Sequence, residues 1–72
     1  METEKRIQMA KKLAEKTNGR VWTKNNLVRV YDNGFAIITD NGKVNINACK
    51  GKFFDTVRVA CDDLGIEYGR TV

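Results

Sequence analysis

The spacing of apolar and polar residues predicts a helix at each end of the chain and short strands between them. In the first segment, apolar residues recur every three or four positions, as one face of a helix requires. They are Ile7, Ala10, Leu13, Ala14 and Thr17. The spacing predicts a helix over residues 3–18, with Thr3 as its N-cap and Gly19 in the left-handed conformation after its last turn.

Residues 20–47 alternate between apolar and polar and are interrupted by turn-forming pairs. The pairs are Asn25-Asn26, Asn33-Gly34 and Asn41-Gly42. Asn-Gly favours a two-residue hairpin turn, because both central residues of a type I′ turn need positive φ. Counting outward from two-residue turns predicts four strands, with Val30 opposite both Val21 and Ile37, and Ile37 also opposite Ile46.

This register sorts the side chains onto two faces, because residues directly opposite each other share a face. The predicted core face collects Val21, Thr23, Val28, Val30, Phe35, Ile37, Thr39, Val44 and Ile46. The second face collects Arg20, Trp22, Lys24, Leu27, Arg29, Tyr31, Ala36, Ile38, Asp40, Lys43, Asn45 and Asn47. The register therefore predicts that Ile37 is buried and that its neighbour Ile38 is exposed.

A second helical pattern lies within residues 48–64. Its apolar positions are Phe53, Phe54, Val57, Ala60, Cys61 and Leu64. Two starts are open: Asn47 caps the helix, which places Gly51 in an early turn at a cost of about 1 kcal/mol, or the helix begins near Gly51. Gly65 and Ile66 predict a C-terminal helix motif. The tail after them either adds a short edge strand or frays.

Together these elements predict one α+β domain over residues 1–72. Its architecture is a four-stranded antiparallel meander with N- and C-terminal helices packed on one face (α-β-β-β-β-α). The chain has 72 residues, so its core is thin.

Composition argues against catalysis and against a bound metal. The sequence contains no histidine and no serine, which excludes a serine nucleophile and a cysteine–histidine pair. Its two cysteines, Cys49 and Cys61, cannot by themselves close a zinc site. We expect no enzymatic activity and no cofactor. The first residues are charged rather than apolar, so the expected location is the cytoplasm, with free thiols and no membrane partner.

The second face carries the candidate chemistry. Its candidate binding residues are Arg20, Trp22, Lys24, Arg29, Tyr31, Ile38, Lys43, Asn45 and Asn47. Aromatic rings stack on bases, cations neutralise phosphates, and asparagine amides hydrogen-bond to base edges. With a net charge of +4, the sequence makes nucleic-acid binding the most specific hypothesis.

Two other interpretations of the second face are open. Tryptophan, tyrosine and arginine are also enriched at protein hot spots, so the face suits a protein partner, including a second copy of this chain. Such a module would act as a small inhibitor or regulator of the kind found among bacterial or phage accessory proteins. A solvated sheet face is the third interpretation.

Two weaker candidates lie outside the second face. Asp62-Asp63 stands near a helix C-terminus, where negative charge is unfavourable, so it marks either a metal or basic partner or a solvated helix end. Cys49 and Cys61 are either a redox pair or small buried residues, and we favour the second interpretation.

Overall fold

The computed structural model describes residues 1–72 and has two helices packed on one face of a five-stranded sheet. In chain order the elements are α1 (Thr3–Thr17), β1 (Arg20–Lys24), β2 (Leu27–Asp32), β3 (Gly34–Ile38), β4 (Val44–Asn45), α2 (Gly51–Leu64) and β5 (Tyr68–Gly69). The strands follow each other in sequence order across the sheet, and only the β4–β5 pair is parallel. The predicted α+β class is confirmed, and the tail adds a fifth strand to the predicted meander.

The helix ends differ in part from the prediction. α1 begins after Glu2 without a side-chain cap, so the prediction of Thr3 as N-cap is wrong. Asn18, not Gly19, takes the left-handed conformation, with φ of 56°. Gly19 is needed for a different reason: a Cβ there would lie 2.8 Å from Cγ1 of Val30. At the end of α2, Gly65 is left-handed as predicted, and the Ile66 amide donates to the Cys61 carbonyl at 2.9 Å.

The β1–β2 register is the predicted one, but the β2–β3 register is not. Val21 pairs with Val30, and a two-residue turn at Asn25-Asn26 joins the strands. In the next hairpin Val30 pairs with Ala36, one residue away from the predicted Ile37. β3 is shifted again relative to β4, where Ile37 pairs with Asn45 instead of Ile46.

Both shifts have the same cause, an extra residue in each loop. Tyr31 pairs with Phe35, which leaves three residues between them, and among these only Gly34 has positive φ, at 78°. The next loop repeats the arrangement: the Thr39 amide donates to the Lys43 carbonyl, and Gly42 has φ of 75°. A three-residue loop of this kind needs positive φ only at its last residue, whereas the predicted type I′ turn needs it at two.

The two shifts turn β3 over and then cancel. Ala36 and Ile38 are fully buried, and Ile37 is only half-buried, so the predicted exposures of Ile37 and Ile38 are wrong. Phe35 also leaves the predicted core face. Because the second shift compensates for the first, Val44 and Ile46 are buried as predicted. The register error is therefore confined to a single strand.

The core lies between the sheet and the two helices. Its apolar members are Ala10, Leu13, Ala14, Val28, Val30, Ala36, Ile38, Val44, Ile46, Cys49, Phe53, Val57, Ala60 and Cys61. Neither helix combines the length and the apolar composition that crossing a lipid bilayer demands.

Arg6 is buried at the edge of this core, with 4% of its surface exposed. Its guanidinium donates to the Ile38 carbonyl at 2.8 Å and to the Asn26 carbonyl at 2.9 Å, and it lies 3.4 Å from the Asp40 carboxylate. One side chain of α1 thus holds the β1–β2 turn and the end of β3.

We expect Arg6→Met to lower the free energy of unfolding by about 2 kcal/mol, because two buried or half-buried carbonyls lose their donor. Urea denaturation measures the change. Lys5→Met on the same helix is the control, since Lys5 is exposed and its replacement should cost less than about 0.5 kcal/mol. Equal losses in the two variants would show that the Arg6 contacts contribute nothing.

The two cysteines are buried free thiols, which agrees with the favoured interpretation. Burial raises the pKa of Cys49 to about 11. Burial, with a smaller contribution from Asp62, raises the pKa of Cys61 to about 11. Both side chains are therefore unreactive thiols at neutral pH.

We expect stability to fall above the ordinary thiol pKa of about 8.5. A pKa raised on folding means that the folded protein holds its protons more tightly, so this contribution is complete below about 8.5 and is lost as pH rises through about 11. Urea denaturation across this range, in parallel with Cys61→Ala, measures the cysteine contribution. An identical pH dependence in both proteins would contradict it.

Candidate functional site

The sheet face opposite the helices carries an aromatic and basic surface that we call the open face. It consists of Arg20, Trp22, Lys24, Leu27, Arg29, Tyr31, Phe35, Ile37, Lys43 and Asn45. β1 and β2 contribute their predicted residues because the register of that hairpin is correct. β3 contributes Phe35 and Ile37 in place of the predicted Ala36 and Ile38. The presence of Phe35 and Ile37 makes the open face more aromatic and more apolar than predicted.

Arg29 lies between two aromatic rings at the centre of this face. Its guanidinium carbon is 4.9 Å from the centre of the Trp22 ring and 4.5 Å from the centre of the Phe35 ring. The three side chains come from three adjacent strands, so the row crosses β1, β2 and β3. Stacking between two rings holds the guanidinium in place. The Nε atom of Arg29 is buried and has no hydrogen-bond partner.

A shallow groove of about 310 Å³ lies beside this row and is open to solvent. Its lining is Trp22, Arg29, Tyr31, Gly34 and Phe35. Three aromatic rings form most of the walls. Gly34 contributes only backbone to the lining, at the start of β3. The groove therefore offers apolar surface for a flat ligand next to a fixed positive charge.

The cations of the open face are mostly free of carboxylates. Arg20, Lys24 and Arg29 form no ion pair within the chain. Lys43 differs, because its Nζ lies 2.9 Å from a carboxylate oxygen of Glu67. Asp40, which the sequence placed on this face, lies in the β3–β4 turn and pairs with Arg6 instead. Glu67 is thus the one carboxylate that pairs with a cation of the open face.

Three of the predicted binding residues are not available on the open face as predicted. Ile38 is fully buried in the core, because β3 is turned over. The side-chain amide of Asn45 donates to the carbonyls of Arg70 and Val72, at 3.3 Å and 3.1 Å, and its oxygen accepts from the Asn47 amide at 2.9 Å. Asn45 therefore holds the C-terminal tail. Asn47 is exposed in the turn after β4, outside the strands.

The prediction missed Phe35 and Ile37, although the sequence contains a signal for them. Both β3 loops have the same three residues, Asp-Asn-Gly, at 32–34 and 40–42. In such a triplet, glycine occupies the fourth position of a type I turn. This position is left-handed in a three-residue hairpin loop, and glycine favours it. Applied to both loops, that turn type places Phe35 and Ile37 on the open face.

A second groove, of about 370 Å³, lies on the helices, remote from the open face. Its lining is Lys16, Asp55, Thr56, Val59, Ala60 and Asp63. Asp63 lies 4.0 Å from the Lys16 ammonium, so one carboxylate of the Asp62-Asp63 pair faces a cation of α1. No three His, Cys, Asp or Glu side chains are grouped closely enough to hold a metal ion.

The open face is the candidate functional site of this protein. Its central feature is the Trp22–Arg29–Phe35 row, with unpaired cations on β1 beside it. Comparisons with protein-family models, with curated proteins and with solved structures found no match for this chain.

Proposed function

We propose that this protein is a non-enzymatic module that binds nucleic acid through the open face. The observation that carries the proposal is the guanidinium of Arg29 stacked between Trp22 and Phe35, next to cations of β1 that form no ion pair. Rings and cations on one surface match the two features that every nucleic acid offers, flat bases and a charged backbone.

Stacking supplies the first part of the binding energy. Trp22 and Phe35 are half-buried and Tyr31 is 40% exposed, so each ring retains accessible surface. Each base stacked on such a ring contributes about 1–3 kcal/mol. Because every base has an aromatic face, this contribution depends little on sequence.

Electrostatics supplies the second part. Arg20 and Lys24 are exposed and unpaired, so they need not break an ion pair before they meet a phosphate. Each phosphate they neutralise releases counterions, which makes binding depend strongly on salt. Lys43 contributes less, because Glu67 already neutralises it.

A protein partner, including a second copy of this chain, is the alternative function. The observation that favours it is the apolar part of the open face, where Leu27 is 45% exposed and Ile37 is half-buried. Neither side chain suits base stacking as well as it suits a protein interface. In this alternative the module acts as a small inhibitor or regulator.

Fluorescence anisotropy of short labelled oligonucleotides tests the proposal. We expect binding at low salt that weakens steeply as salt increases. Lys24→Gln should reduce the slope of log affinity against log salt by about one, because one phosphate contact is lost. Trp22→Leu should weaken binding by about tenfold with little change in slope, because stacking releases no counterions.

Lys52→Gln is the matched control for charge. Lys52 is an exposed lysine on α2 without an ion pair, so its loss changes the net charge equally but leaves the open face intact. We expect Lys52→Gln to keep the wild-type slope. No anisotropy change at low salt would reject nucleic-acid binding and favour the protein partner. Equal effects of Lys24→Gln and Lys52→Gln would mean that charge acts without a defined site.

A further inference from the structure

We infer that the open face selects single-stranded over double-stranded nucleic acid, with one unpaired base in the groove beside Gly34. This inference rests on the proposed function and narrows it to one class of ligand. Three features of the molecule carry it: the aromatic walls of the groove, the width of the sheet and the position of the cations.

The walls of the groove favour an unpaired base. Trp22, Tyr31 and Phe35 provide ring surface around a space of about 310 Å³. In a duplex the faces of the bases are covered by the neighbouring pairs, and only their edges are accessible in the grooves. A ring can therefore stack on a base only where the base is unpaired. The rings of this groove thus cannot stack on the paired bases of an intact duplex.

The shape of the open face also disfavours a duplex. The major groove is about 12 Å wide and admits an α-helix or a two-stranded ribbon. The sheet has five strands, and at about 4.8 Å per strand it is about 19 Å across. Both helices pack on the opposite side of the sheet, so neither projects from the open face. This face can therefore present only a broad surface to a duplex.

The cations mark a path for a single strand. Arg20 and Lys24 stand at the two ends of β1, about 13 Å apart along the strand, and Trp22 lies between them. β1 is one of the two edge strands of the sheet, while Arg29 and Phe35 lie further in, on β2 and β3. A phosphate backbone that runs along β1 meets both cations, and its bases turn inward over the rings.

A competition between matched ligands tests the inference. The probe is a short labelled oligonucleotide of mixed sequence, used alone and annealed to its complement at the same salt concentration. We expect the single strand to bind at least about tenfold more tightly than the duplex, because only the single strand stacks on the rings. Phe35→Leu should remove most of this preference, and Phe35→Tyr should retain it because the ring is kept.

Phe54→Leu is the control for loss of a ring. Phe54 is also half-buried, and the Arg70 guanidinium lies 4.7 Å from its ring centre, but it stands on α2 outside the open face. We expect Phe54→Leu to keep the preference for the single strand. Equal or tighter binding of the duplex by the wild-type protein would overturn this inference and leave the proposed function intact. Binding of neither ligand would overturn both.

Discussion

Ile38→Asp is expected to unfold the protein, whereas Ile37→Asp is expected to leave it folded. Ile38 is fully buried, and its β4 partner in the sheet, Val44, is fully buried too. The one buried cation near this position, Arg6, already donates to the backbone carbonyls of Ile38 and Asn26 and pairs with Asp40. A carboxylate in place of the Ile38 side chain would therefore enter the apolar core, at a cost above about 4 kcal/mol. That is comparable to the whole stability of a domain of this size, about 4–10 kcal/mol.

Ile37 lies on the other face of the same strand and makes the matched control. It is half-buried and pairs with Arg29, so an aspartate there gains a cation opposite it. Far-ultraviolet circular dichroism and urea denaturation compare the two variants. If Ile37→Asp unfolds the protein and Ile38→Asp does not, β3 has the register predicted from two-residue turns, with Ile37 in the core. Unfolding by both would mean that the open face is buried in the native protein.

Gly34→Ala is expected to give the second-largest loss, about 3–4 kcal/mol. Gly34 has positive φ, and a Cβ there would lie 2.0 Å from the carbonyl oxygen of Ala48. The chain after β4 crosses this point closely: the Phe35 amide donates to the Ala48 carbonyl, and the Lys50 amide donates to the Asn33 carbonyl. An added methyl group must push the crossing segment away, which breaks these hydrogen bonds.

Gly65→Ala separates the effect of contact from the effect of conformation. Gly65 also has positive φ, at 69°, but a Cβ there would meet nothing within 4 Å. We expect Gly65→Ala to cost about 1–2 kcal/mol, the penalty for a left-handed residue alone. Urea denaturation gives both values. A cost for Gly34→Ala no greater than that for Gly65→Ala would show that the crossing segment yields without loss.

The sequence was sufficient for the two helices and the first four strands, but not for the start of α2, the fifth strand or the orientation of β3. Helical spacing predicted α1 and α2, and the Asn25-Asn26 turn predicted the β1–β2 pairing, because these signals are local. The choice between a two-residue and a three-residue loop at Asn33-Gly34 depends on one φ angle, and that choice reverses every side chain of the following strand. Hydrophobicity did not correct the error, because Ile37 and Ile38 are both isoleucine and either suits the core.

The site residues were predicted correctly on β1 and β2, where the register was correct, but not on β3, where it was wrong. Trp22, Arg29 and Tyr31 lie on β1 and β2 and stand where the sequence placed them. Phe35 was missed because it lies on β3. The stacking of Arg29 between two rings was therefore missed as well. The role of Asn45 was not predictable from strand alternation, because its partners Arg70 and Val72 belong to the distant C-terminal tail. Contacts between segments distant in sequence have no local signal.

A nuclear magnetic resonance titration locates directly where nucleic acid binds on this protein. Isotope-labelled protein is titrated with a short single-stranded oligonucleotide, and shift changes are mapped by residue. We predict the largest changes at the Trp22 indole N–H and at the backbone amides of Arg29 and Phe35, with none around the helix groove at Val59 and Asp63. Changes centred on Val59 and Asp63, or no changes at low salt, would rule out nucleic-acid binding on the open face.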